Sequence, residues 1–170
     1  DNGNTFKTIR NTIEDELNYS FHYKVIKASD FGLPQHRPRV FIVGFRDEKT
    51  LKSNFKFPKP IILKKNMSDV LKGNCSREIG YTLRVGGSKS PINDRRNWDG
   101  YIVNGKVIRL KPEHGLEMMG FPKTFKFPVN ETQAMKQLGN SVAVNAVKHT
   151  GREIIKYLEL DQIIIGMNVI

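Results

Sequence analysis

Apolar residues recur at Phe6, Ile9, Ile13 and Leu17, a spacing that places side chains on one face of a helix. Asn4 or Thr5 is available as its cap, so the pattern predicts an amphipathic first helix. Residues 21–28, FHYKVIKA, are rich in aromatic and β-branched side chains and predict a strand. RVFIVGF, residues 39–45, is apolar at successive positions and predicts a strand buried on both faces, central in a sheet. Helix, strand, loop, strand is the rhythm of an α/β layer. From about residue 49 the texture changes: FKFPKPIILKK carries two prolines and several lysines and reads as a crossover or linker. MSDVLKG predicts a short helix with Ser68 at the capping position. YTLRV, residues 81–85, and YIVNGKVIRL, residues 101–110, read as strands, the second folding on an Asn104-Gly105 turn. KPEHGLEMMGFP predicts a helix opened by Pro112 and stopped by Gly120 and Pro122. Val144, Val147, Ile154, Ile155 and Leu158 then place an apolar stripe on a C-terminal helix, and the final IIIGMNVI is more apolar than a free tail should be.

Charge sharpens this picture. Among 170 residues, 28 are Lys or Arg and 17 are Asp or Glu, a net charge of +11. The isoelectric point is near 9.8. That excess points to a polyanionic partner, most often nucleic acid, against the plainer alternative of a basic solvated surface. One cysteine, Cys75, excludes an internal disulfide and a cysteine zinc framework, so no metal is expected. No apolar run approaches the length of a membrane span. DNGNTF has no initiator Met and reads like the middle of a longer sequence, so a fragment or a split polypeptide is expected.

Three stretches carry candidate chemistry. In PQHRPRVFIVGFR, Gln35, Arg37 and Arg39 alternate, and alternate residues of an extended chain share a face. Two guanidinium groups there make a donor fork for a phosphate or a base carbonyl; surface salt bridges are the alternative. In KQLGNSVAVNAV, Asn140 and Ser141 read as N-caps of the following helix, with Gly139 permitting close approach of a ligand; an ordinary capped helix is the alternative. In YTLRVGGSKSPINDRRNWDGY, a glycine pair stands among Arg84, Lys89, Arg95 and Arg96. This is either a reader of DNA or a mobile surface loop.

Together the three stretches resemble the C-terminal half of bacterial DNA (cytosine-5)-methyltransferases. PQHRPRVFIVGFR is similar to that family's Gln-x-Arg-x-Arg motif, Thr82-Leu83 to the Thr-Leu signature of its target-recognition region, and KQLGNSVAVNAV to its last, Gly-Asn-Ser-Val motif. IRLKPEHGLEMMGFP resembles the penultimate motif, with a departure: two arginines usual there are replaced by Glu113 and Glu117, so another pairing must tie that segment down. FPKP, YIVNGK and DNGNT resemble the small bacterial members.

The resemblance implies an α/β fold: the C-terminal part of a Rossmann-like S-adenosylmethionine-dependent methyltransferase domain plus a small β-rich target-recognition lobe. Residues 1–50 would be the last strands and helix of the catalytic domain, and 51–110 the recognition lobe. Residues 111–135 would be a hinge carrying the penultimate motif, and 136–170 the last motif and returning helix. It implies methyl transfer from S-adenosylmethionine to C5 of a cytosine flipped out of a short site in double-stranded DNA, because C5 is unreachable inside the stack. Arg37 and Arg39 would lie by the flipped base, with Gln35 orienting them. Asn140, Ser141 and Val142 would line the cofactor pocket. Thr82 would hold a phosphate, and Arg84, Gly86, Gly87 and Ser88 would sit near base edges. Arg95 and Arg96 join them on charge alone.

The family's Phe-x-Gly-x-Gly, Pro-Cys and Glu-Asn-Val motifs are absent, and Cys75 stands in the wrong context for the nucleophile. An N-terminal half or subunit carrying those motifs is therefore an expected partner, and this chain alone is expected to be inactive. A bacterial cytoplasmic, nucleoid-associated setting is expected, with restriction-modification as its context. The competing readings are a non-catalytic, sequence-specific DNA-binding module derived from a methylase, and a generic basic RNA-binding protein.

Overall fold

The computed structural model describes residues 1–46, 54–86 and 88–167, with side chains as far as residue 159. The chain divides into two compact units, residues 1–26, 39–58 and 150–170, and residues 27–38 and 59–149.

In the first unit, α1 (Asn4–Asn11) continues as a π-helical turn, Thr12–Glu16. Its cap differs from expectation. Gly3 is the N-cap, and the Asp1 carboxylate accepts from the backbone N–H groups of Gly3 and Thr5, at 2.9 and 3.2 Å. An acidic side chain beside these free N–H groups meets the positive end of the helix dipole. β1 (His22–Lys27) and β2 (Pro38–Val43) form a two-stranded sheet at the expected places. Val43, Phe45, Phe55 and Tyr157 make the core, with Phe57 and Ile154 packed on it. β2 was expected to be buried on both faces, but Val40 is 52% exposed, and Tyr23 and Val25 of β1 are 54% and 55% exposed.

In the second unit, α2 (Met67–Leu71) is capped by Asn66 rather than Ser68; the Asn66 side chain accepts from Asp69 N, and Asp69 returns the bond to Asn66 N. The Ser68 hydroxyl instead accepts from Cys75 N. β3 (Gly100–Val103) and β4 (Lys106–Arg109) form the expected antiparallel hairpin, with Val103 opposite Lys106. Asn104 and Gly105 both have positive φ, 49° and 76°, as a two-residue turn matching strand twist requires. α3 (Pro112–Met119) begins at Pro112 and ends on left-handed Gly120. The core gathers Met67, Val70, Leu83, Trp98, Tyr101, Met118, Met119 and Leu138.

Three expectations fail here for physical reasons. YTLRV is not a strand: Tyr81 N, Leu83 N and Leu83 O bond to side chains. α4 (Glu131–Asn140) was not foreseen, so Asn140 ends a helix and Ser141 is its C-cap rather than either capping the next one. Finally, α5 (Val144–Met167) buries the anticipated stripe only in part, with Ile154 packed on the first unit's core. Val147, Ile155 and Leu158 are exposed, whereas Ala146, Thr150 and Tyr157 are buried. The last three residues of the chain lie outside the described residues. Among the described residues, no helix is long and apolar enough to cross a membrane.

Candidate functional site

The extended segment around Gln35 lies beside Gly80: His36 N donates to Gly80 O and Gly80 N donates to Pro34 O, both at 3.0 Å. Two successive same-face side chains here, Gln35 and Arg37, turn inward within the second unit. Gln35 is wholly buried. Its Nε2 donates to Met118 O at 3.3 Å, near the end of α3, and its Oε1 accepts from Leu83 N at 3.1 Å. It thereby satisfies a carbonyl that a helix end leaves free and a loop N–H with no strand partner.

Arg37 is 2% exposed. Its Nη1 donates to Leu83 O at 3.1 Å, and its Nη2 donates to Gly139 O at 2.8 Å and to Ser141 O. The planar fork thus joins the Thr82-Leu83 loop to the Gly139–Ser141 turn. Hydrogen bonds made by charged groups contribute about 1.5–3 kcal/mol each. Gly139 proves to serve the protein's own packing: a Cβ there would stand 2.9 Å from the carbonyl carbon of Arg84. The end of α4 therefore lies flush on the backbone of the basic loop, where a ligand had been expected.

The loop is tied at its far side by residues that the sequence reading passed over. Trp98 Nε1 donates to Gly86 O at 2.8 Å. Asp99 accepts from Lys89 N and from Arg109 Nη1, and Arg109 Nη2 donates to Ser90 O at 2.7 Å. The signal was the lone tryptophan beside an aspartate at the start of a hairpin. Between these ties Arg84, Gly86 and Ser88 are exposed; Gly87 lies outside the described residues. Thr82 is half-buried. The two arginines assigned on charge differ. Arg96 is bonded to Asp94 through Nε and Nη2, which holds the Asp94 carboxyl down at about 2. Arg95 lines a cavity with Arg77, Arg84 and Thr82.

Asn140, Ser141 and Val142 come together on an open, mainly apolar cavity of about 540 Å³, shared with Phe121, Val144, Val147 and Lys148. Pockets for drug-sized ligands run from about 300 to 1,000 Å³ and are lined in this way, with few polar groups. The Asn140 amide is exposed, while the Ser141 hydroxyl donates to Leu138 O at 2.9 Å. Arg39 is exposed and belongs to the first unit. Cys75 is buried, its N–H held by Ser68. Of the two acids in the penultimate segment, Glu117 meets Lys65 Nζ at 3.0 Å, and between them His114 Nδ1 accepts from Lys111 N. Burial lowers the His114 pKa from its usual value. Among the described residues, no group of three or more His, Cys, Asp or Glu is placed to hold a metal ion.

Residues 1–102 and 78–156 match the family model for C-5 cytosine-specific DNA methylases. The chain is 32% identical to type II methyltransferase M.HhaI of Haemophilus parahaemolyticus over 188 residues, covering 88% of this chain and 57% of that protein. It is 32% identical to type II methyltransferase M.SsoII of Shigella sonnei, covering 94% of this chain and 50% of that protein. It thus spans about half the length of these relatives. The fold is similar to that of Spodoptera frugiperda DNMT2 (an E260A/E261A/K263A mutant), with a TM-score of 0.63 at 16% identity, covering 92% of this chain and 63% of the other.

Proposed function

Because the chain belongs to the C-5 cytosine-specific DNA methylase family, we propose that it is the C-terminal, DNA-recognising portion of a DNA (cytosine-5)-methyltransferase and works with an N-terminal half. The observation that carries this is the Gln35–Arg37 clamp. One short segment grips both the basic loop through Leu83 and the Gly139–Ser141 turn. The recognition loop and the proposed cofactor wall are thereby fixed to each other.

In this reading Arg37 is a positioning residue, since its guanidinium is committed to three backbone carbonyls. Exposed Arg39 is the guanidinium that meets O2 of the flipped cytosine and balances charge developing on the ring. Gln35 orients the segment. Thr82 takes a backbone phosphate, and Arg84, Gly86 and Ser88 face the base edges, with Arg95 and Arg96 at the margin. Asn140, Ser141 and Val142 hold S-adenosylmethionine, which supplies the methyl group. The cavity they line fits it, with apolar walls for the adenosine and an exposed amide for a polar group.

The nucleophile must come from elsewhere, because the chain's one cysteine is buried against Ser68. The exposed apolar residues Tyr23, Val25 and Val40 of the two-stranded sheet are the surface such a half would cover; sheet edges and apolar faces left open invite pairing. The setting is a bacterial cytoplasm, at the nucleoid. Duplex affinity against salt tests the reading. The slope should be about −0.9 per phosphate contacted, with duplex DNA preferred to structured RNA. A preference for structured RNA would reject it.

A further inference from the structure

A cavity of about 310 Å³ in the second unit is lined by His36, Arg77, Tyr81, Thr82, Arg84 and Arg95, among others, and no acid lines it. The ion pairs resolved among the described residues join Arg10 to Glu14, Lys65 to Glu117, Arg96 to Asp94, Arg109 to Asp99 and Lys156 to Glu153. None of them neutralises Arg77, Arg84 or Arg95. The next arginine along the chain, Arg96, shows the contrast, since its own carboxylate occupies it.

The Arg77 guanidinium is held, and the chain is anchored beside Arg84 and Arg95. The Arg77 guanidinium lies 4.2 Å over the Tyr81 ring. Tyr81 N in turn donates to the Tyr101 hydroxyl at 2.8 Å. Arg84 follows Leu83, whose N–H and C=O are both taken by the Gln35–Arg37 clamp. Arg95 precedes Arg96 in the turn where Asn97 N donates to Asp94 O at 2.9 Å. Three cations round one cavity with no counter-charge repel one another. They gain most from an anion offering several oxygens in different directions, which planar forks grip in pairs.

We propose that this cavity is a phosphate socket, in which Arg77 and Arg95 grip a DNA backbone phosphate that Thr82 also touches. Arg77 is a DNA contact that neither its neighbours in sequence nor the motif pattern assigns. The inference rests on the DNA-recognition reading above and deepens it. The volume admits a phosphate with its flanking sugar. A contact of this kind sets the register of the duplex and carries no sequence information of its own.

The test is duplex affinity as a function of salt, using the whole chain. Wild type is compared with Arg77→Gln, Arg95→Gln, Arg77→Lys and, as a control, Arg10→Gln, whose ion pair with Glu14 lies on α1. Because they share one phosphate, Arg77→Gln and Arg95→Gln should each reduce the steepness of the log–log salt slope by up to about 0.9, equally on cognate and unrelated duplexes. Arg77→Lys should keep the slope, and Arg10→Gln should leave everything unchanged. A parallel titration with inorganic phosphate, followed by NMR on the arginine Nε–H signals, separates backbone phosphate from a free one. Wild-type slopes in both glutamine variants would overturn the inference while leaving the DNA reading intact. So would inorganic phosphate binding tightly at Arg77 with DNA slopes unmoved, since the socket would then serve a small phosphorylated ligand. A wild-type chain that binds no duplex would overturn the DNA reading and this inference together.

Discussion

Replacing Arg37 with Lys keeps the positive charge and removes the fork. The guanidinium spans Leu83 O, Gly139 O and Ser141 O from two nitrogens held in one plane. An ammonium on a shorter stem is a single centre and reaches at most one of these carbonyls in comparable geometry. Two charge-assisted hydrogen bonds are then lost, at about 1.5–3 kcal/mol each, or about 3–6 kcal/mol together. Leaving the buried Leu83 carbonyl without a donor pushes the loss toward the upper end. In a chain of this size each kcal/mol moves the melting temperature by about 2–4 °C, so Arg37→Lys should lower it by about 6–24 °C. Thermal unfolding followed by circular dichroism measures this directly. Arg39→Lys is the comparison: at an exposed position it should stay within about 0.5 kcal/mol of wild type. If both variants melt within about a degree of each other, Arg37 does not clamp the second unit and the framework assigned to it is wrong.

Four further outcomes follow from the same structure. Gly139→Ala sets a methyl 2.9 Å from the backbone of Arg84; it should weaken DNA binding and lower the melting temperature, and calorimetry with a binding titration would find both unchanged if the contact were slack. Burial lowers the pKa of His114 from 6.5, so the unfolded chain binds the proton more readily. Stability from this group is present above the unfolded pKa and lost as pH falls through it; the fall in melting temperature between about pH 8 and pH 5 should flatten in His114→Asn, and an identical pH profile would remove His114 as its source. Gly105→Ala forces a methyl-bearing residue to φ 76° and should cost about 1–2 kcal/mol in denaturant titration; no cost would mean that the turn relaxes. Arg39→Ala in the assembled enzyme should reduce the rate of methyl transfer far more than DNA affinity, and an unchanged rate would take Arg39 out of the active site.

What could be read from the sequence was whatever local chemistry decides. Asn104-Gly105 specifies its hairpin, and Pro112 with Gly120 bounds its helix, because turn and cap residues act on their own backbone. The family signature at Gln35–Arg39 was equally visible. The division of labour within it was not. Alternation put Gln35, Arg37 and Arg39 on one face; Gln35 and Arg37 are buried and both meet Leu83, whereas Arg39 is exposed. But alternation cannot say that the face turns inward onto backbone carbonyls, which depends on residues about 46 to 104 positions away along the chain. The failed strand at 81–85 has the same origin: its residues suit a strand, but Gln35, Arg37 and the Tyr101 hydroxyl satisfy its backbone in place of a neighbouring strand. The exposed apolar residues of β1 and β2 mark the opposite limit. Their sequence is that of a central strand, and the apolar pattern alone does not say what lies against each face.

The most direct test of the account is a reconstitution. This chain is mixed with a polypeptide carrying the cofactor-loop and Pro-Cys motifs, and transfer of labelled methyl groups from S-adenosylmethionine to duplex DNA is followed, with each half assayed alone. The account predicts transfer only in the mixture, at one short cytosine-containing site. Transfer by the other half alone, or none in the mixture while this chain still binds DNA, would contradict it; the second result would leave a DNA-binding module without chemistry.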